Sequence, residues 1–203
     1  MTILVGCEES GTISGEFRRA GFEAYSCDLA PTRGDPSFHF QQDIMEVIPT
    51  RQWDLIILHP SCQYLAVCNN RNAAQGKPDW RKRRRDIKWT CALWNLAKQY
   101  SKRVALENPA SVIFPHLRKL GARVNWVHPW QHGHMEQKKT GLALWNLPDL
   151  VPTDDVYDEM MLLPLAERTR IHYMPPSPTR SRDRSKTYAG IAGAIVNQWK
   201  PLL

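Results

Sequence analysis

Asp54-Leu-Ile-Ile-Leu-His-Pro-Ser-Cys-Gln63 holds four consecutive aliphatic residues, bounded by an acid on one side and His-Pro on the other. An apolar run without alternation is the pattern of a strand buried on both faces, as at the centre of a parallel sheet. Pro60 removes a backbone donor and fixes φ, so the strand ends there and Cys62 falls on the loop beyond its carboxyl edge. In open α/β sheets that edge is where ligands bind. A lone cysteine is more often a small, inert core residue than a nucleophile, so the thiol needs support from the rest of the chain.

Toward the N-terminus, Thr2–Gly6 reads as a first strand, and Cys7-Glu-Glu-Ser-Gly-Thr12 as a loop into a helix from Ile13 to Ala20, capped by Gly21. A second strand, Glu23–Cys27, ends at Asp28 and Leu29. A strand, loop, helix and strand closed by an acid is the layout of a nucleoside-binding unit, in which the acid binds ribose hydroxyls. Gly6 and Gly11 are the glycines of the first loop, while Glu8 and Glu9 stand where phosphate-binding glycines would be. Carboxylates there repel a pyrophosphate and suit a ligand with an ammonium group, so S-adenosyl-L-methionine is expected rather than a dinucleotide. The alternative is an acidic surface loop favoured by the helix dipole. Phe38-His-Phe40 reads as a third short strand, and Asp43-Ile44 starts a helical turn at another carboxyl edge.

Beyond Cys62, residues 63–78 read as an irregular, mobile loop, longer than a simple connection requires. A helix from Asp79 to Tyr100 follows, and it opens on Trp80-Arg-Lys-Arg-Arg-Arg85. Such a cationic run is either a solvated face or, next to a loop that begins at a nucleophile, a phosphate clamp that uses Arg81, Arg83 and Arg84. Arg103–Leu106 then forms a strand that delivers Glu107 and Asn108 to the same edge. If the strands before Cys62 and Glu107 are neighbours, thiol and carboxyl face one pocket. The whole predicts an α/β fold with a Rossmann-like, mostly parallel central sheet flanked by helices, in one domain spanning 1–203.

The 203 residues suffice for one core without metals or disulfides. Five cysteines with no Cys-x-x-Cys pair argue against a zinc site or disulfide framework. No apolar stretch approaches a membrane span, and the N-terminus lacks the basic region of a secretory leader, so the cytoplasm of a bacterial host is the expected compartment. The net charge of +7 is compatible with a nucleic-acid partner without requiring one.

In order, Cys7–Gly11, Asp28, Asp43-Ile44, Pro60-Ser-Cys-Gln63 and Glu107-Asn108 resemble the motif succession of the DNA (cytosine-5) methyltransferases, in particular short phage-type members. The likeness covers the first 145 residues or so; Gly133–Thr140 before Leu142–Trp145 is similar to the family's next motif, and Thr187–Ile195 is fainter. Glu9, Ser61, Pro109, Lys138 and Thr140 depart from the family pattern. The resemblance implies a methyltransferase fold, S-adenosyl-L-methionine bound by residues 6–11, Asp28, Leu29, Asp43, Ile44 and Pro60, and a cytosine flipped out of DNA or already single-stranded. It further implies that Cys62 attacks carbon 6 of the ring, that Glu107 hydrogen-bonds nitrogen 3, and that Gln63 and Asn108 contact the substrate. His59, Lys138 and Lys139 are candidates to lower the Cys62 pKa.

Residues 152–178 occupy the place of the family's recognition domain, but they are few and begin with Asp154, Asp155, Asp158 and Glu159. Arg180 and Arg182, in a basic segment that runs to Lys186, are candidates for phosphate contacts. The expected activity is therefore carbon 5 methylation of cytosine in DNA with little sequence preference. The same nucleophile would also serve a free pyrimidine nucleotide, and a silent nucleic-acid-binding relative is the reading from another class.

Overall fold

The aliphatic runs become seven strands: β1 (Thr2–Gly6), β2 (Glu23–Cys27), β3 (His39–Phe40), β4 (Leu55–Leu58), β5 (Val104–Pro109), β6 (Arg123–Val127) and β7 (Thr140–Trp145). A computed structural model describes residues 1–177 and 180–203, with the backbone alone at residues 172, 181 and 182. The strands make one sheet in the order β3-β2-β1-β4-β5-β7-β6, parallel from β3 to β5, with β7 antiparallel to both of its neighbours. This is the expected Rossmann-like, mostly parallel arrangement. Gly6 pairs with Leu58, and Leu58 with Leu106, so β4 is central and all four of its residues are buried. The chain order reverses between β1 and β4, which opens a crevice at their carboxyl ends.

Helices cover both faces. They are α1 (Thr12–Arg19), α2 (Ile44–Val47), α3 (Asn70–Ala73), α4 (Trp80–Tyr100), α5 (Phe114–Lys119), α6 (Tyr157–Met161), α7 (Leu165–Arg168), α8 (Arg170–Tyr173), α9 (Arg180–Ser185) and α10 (Ala189–Trp199). Successive strand residues point to opposite faces. Leu4, Ile56, Leu58 and Leu106 pack with Leu93 and Trp94 of α4 and Phe114 of α5. Ile3, Val5, Ile57 and Leu144 pack with Phe17 of α1 and Ile195 and Trp199 of α10. Among the described residues, no helix is long and apolar enough to cross a membrane.

Three features depart from the sequence reading. Residues 63–78 are not irregular: they hold a 3-10 turn at Val67–Asn69 and then α3, and an isolated bridge joins Ala66 to Ser111. β5 continues through Glu107 and Asn108 to Pro109, because β7 pairs with it that far. α5 and β6 have no counterpart in the reading, since a short helix and a half-exposed edge strand leave little apolar periodicity.

The strand-to-helix packing requires glycine at Gly141. At Gly141 in β7 an added Cβ would collide with the Phe114 ring of α5, which is locked in the core. Gly141→Ala is expected to destabilise the protein by about 1–3 kcal/mol through overpacking. A chain of this size should then melt about 2–12 °C lower. Gly193→Ala, in α10 with open space around its Cβ, should be neutral or raise stability by up to about 1 kcal/mol. Thermal unfolding followed by circular dichroism measures both.

Candidate active site

β4 and β5 are parallel neighbours, so the residues after Leu58 and Leu106 leave the sheet side by side. His59 Nδ1 lies 3.3 Å from Glu107 Oε2, and the two side chains are 12% and 21% exposed. Asn108 is fully buried, and its amide donates to the Pro60 carbonyl at 3.0 Å. Asn108 was expected to touch substrate; instead it ties the turn that carries Cys62 to β5. Its Oδ1, like Nε2 of His59, is buried without a hydrogen-bond partner among the described residues. Cys62 is half-buried, while Gln63 is exposed on the rim beside it.

Burial pushes the Cys62 thiol up, the Glu107 carboxylate adds to that, and the Lys138 ammonium acts the other way. For Glu107, burial opposes the charge, but the hydrogen bond and charge of His59, together with Lys138, outweigh it and hold the carboxyl below its usual range. Cys62, Glu107, His59 and Lys138 thus form one electrostatic unit. Lys138 is fixed by donating to the Arg184 carbonyl at 2.9 Å. Of the three expected thiol activators, Lys138 acts on Cys62. His59 is bonded to Glu107 instead, and Lys139 lies 4.6 Å over the Trp126 ring.

On the β1 side, Cys7 has a positive φ of 58°, so the chain turns sharply at the crevice in a conformation that L residues rarely adopt. Its thiol is pushed up by burial and by the nearby Asp28, Cys27 and Asp43, which places those two acids around one spot. Asp28 uses Oδ1 to accept from Ala30 N at 2.9 Å. Asp43 caps α2 through Met45 N, also at 2.9 Å.

Several of the residues expected around the cofactor already have partners within the chain. Glu8 is buried at 5% exposure and accepts from Ile13 N and Ser14 N at the start of α1, so it satisfies orphan helix amides and does not reach for an ammonium. Glu9 is paired with Arg33 at 2.8 Å. Ser10 accepts from Thr12 N, and Gly11, with φ 64°, lies against the backbone of Gly34. Gly6 is required by packing, because an added Cβ would lie 2.6 Å from Ile44 Cδ1. Ile44 is accordingly a core residue, 4% exposed, and Leu29 is 74% exposed at the rim.

The cationic run of α4 is divided by the helix. Arg83 is 3% exposed and donates to the Tyr64 carbonyl at 2.5 Å, to Asn70 Oδ1 at 2.7 Å and to the Ala66 carbonyl at 3.0 Å. It is therefore removed from the phosphate clamp: its donors already serve the segment that follows Cys62. Arg81 and Arg84 face outward. Arg180 is half-buried, and the Arg182 side chain lies outside the described residues. The sequence reading missed the anchoring roles of Arg83 and Asn108 and the His59–Glu107 pair. Strand adjacency alone would have suggested the last.

No family model matches the chain, and no curated protein matches it. Among solved structures, a prophage-encoded candidate DNA modification methyltransferase of E. coli is similar over 71% of this chain and 46% of its own, at 12% identity and a TM-score of 0.48. WbdD, solved with a kinase inhibitor, is similar over 70% of this chain and 35% of its own, at 15% identity and a TM-score of 0.43. The chain thus spans about half the length of the first and a third of the second.

The electrostatic unit predicts how the thiol reacts in the absence of ligand. Glu107→Gln removes the charge that raises the Cys62 pKa, and Lys138→Met removes the one that lowers it. At fixed neutral pH, alkylation of Cys62 by iodoacetamide should speed up in the first variant and slow down in the second. Each change is expected to be on the order of tenfold, the effect of one unit in a thiol pKa. Mass spectrometry of the Cys62 peptide reads the rates.

Proposed function

We propose that this chain transfers a methyl group from S-adenosyl-L-methionine to carbon 5 of cytosine in DNA, with little sequence preference. The observation that supports it most is the convergence of Cys62, Glu107 and Lys138 at the carboxyl edge of β4 and β5, beside the crevice lined by Cys7 and Asp28. Carbon 5 of cytosine is a poor nucleophile while the ring is aromatic. Cys62, as thiolate, adds to carbon 6, and Glu107 hydrogen-bonds nitrogen 3 as charge develops there. Glu107 is held ionised in the free protein, so the proton for nitrogen 3 is the one that Cys62 gives up, passed on through Glu107. After carbon 5 has gained its methyl, its proton leaves to water, Cys62 is expelled and regains the proton from nitrogen 3, and the ring is restored.

The crevice fits the cofactor in two respects. Asp28 Oδ1 is engaged in its own turn, and Oδ2 remains for ribose hydroxyls. The acids gathered around Cys7 disfavour a pyrophosphate and favour a cationic ligand. When bound, S-adenosyl-L-methionine supplies an electrophilic methyl group. Asp28→Ala is expected to weaken its binding by tenfold or more and to leave DNA affinity unchanged. Titration calorimetry with equal cofactor affinities for both proteins would remove Asp28 from the site.

The upward shift of the Cys62 thiol favours one competing reading, a catalytically silent nucleic-acid-binding relative. Trapping separates the two. DNA carrying 5-fluorocytosine cannot complete the elimination, so wild type should accumulate a covalent adduct in the presence of S-adenosyl-L-methionine, and Cys62→Ser should form none. Labelled methyl entering DNA confirms the substrate, and entry into free cytidine nucleotides alone would redirect it. No adduct and no label in either would leave the silent relative.

A further inference from the structure

We infer that the outer face of α4 is a binding surface for single-stranded DNA, in which Trp89 stacks on an unpaired base beside a row of cations that contact the backbone. The helix sorts its cations by direction. Arg83 turns inward and is saturated by the segment after Cys62, while Arg81, Arg84, Arg85 and Lys88 turn outward at helical spacing and line one shallow groove with Trp89 and Ala92.

Two observations go beyond a solvated charged face. Trp89 leaves 37% of its surface exposed at the C-terminal end of that cationic row, where a polar residue would solvate better. Ala92, one turn further on, leaves room beside the ring. The charge is also weakly compensated. Asp86 is the single acid of α4 and is shared with Arg85 at 3.1 Å, while Lys82, toward the other side, is paired with Asp79 at 2.9 Å. Arg81, Arg84 and Lys88 have no acidic partner among the described residues.

An indole at the end of a row of cations fits a single strand, since base faces stack on aromatic rings while phosphates follow the basic groove. In a duplex the base faces are hidden, and only the cations would contribute. The choice of DNA over RNA rests on the proposed function. A flipped or single-stranded target leaves unpaired neighbours, and the Arg83 anchor joins this helix to the segment that begins at Cys62.

The test is fluorescence anisotropy of the full chain with a labelled short oligothymidylate, across a salt series. This probe lacks cytosine, so Cys62→Ser should bind it as wild type does, and the outcome is independent of the methylation reading. Trp89→Ala should lose on the order of tenfold in affinity with its salt slope unchanged, and Trp89→Phe should retain most of the affinity. The Arg84→Gln, Lys88→Gln double variant should lower the slope of log affinity against log salt by roughly 0.7 for each lost contact. All of these side chains are exposed, and unchanged melting temperatures would confirm intact folding. Wild-type affinity in Trp89→Ala, an equal loss on duplex DNA, or tighter binding of an oligouridylate would each overturn the inference.

Discussion

The buried amide of Asn108 donates to the Pro60 carbonyl, and the geometry of the carboxyl edge depends on that bond. Proline at position 60 ends β4 but does not decide where the chain goes next. A side chain on the neighbouring strand decides it, because β5 runs straight on to Pro109 under its pairing with β7. The turn is fixed from two sides: Asn108 holds its start, and Arg83 holds the segment after Cys62 through the carbonyls of Tyr64 and Ala66. Cys62 lies between these anchors. A thiol positioned by a rigid strand on one side and a long helix on the other would lose little freedom when a substrate arrives, which is the entropic requirement for the proposed addition to a ring carbon.

The strands were legible wherever burial on both faces removed any ambiguity of period. Leu55–Leu58 and Ile3–Val5 contain no polar residue and can only be central. The meaning of polar residues was less legible, because sequence shows that a group is polar but not what it faces. Arg83 and Arg84 are adjacent and chemically identical, yet one is 3% exposed and the other lies in water. The hundred-degree step of the helix separates them, and which of the two turns inward depends on where the carbonyls of residues 64–66 sit. Glu8 and Glu9 divide in the same way: one caps α1 and the other pairs with Arg33 across the loop. His59 took its role from a partner 48 residues away, which no local pattern contains.

The free site holds its charges in an arrangement that opposes its proposed chemistry. Glu107 is ionised, and the same negative charge, together with burial, keeps the nearby Cys62 protonated. A thiolate beside a carboxylate is unfavourable, so both groups reach their working states only if the carboxylate is neutralised as the thiol loses its proton. In the proposed reaction a cytosine ring would do this through nitrogen 3: the proton given up by Cys62 would come to lie between that nitrogen and Glu107 and remove the charge that raises the thiol. His59 lies against the carboxylate with Nε2 buried and unpartnered, and Lys138 favours the thiolate from the other side. In the proposed reaction, activation of Cys62 would then be coupled to occupancy by the correct base. On this proposal Cys62 rests mainly as a thiol in the unliganded protein, and a ring without a basic nitrogen at that position would leave it so.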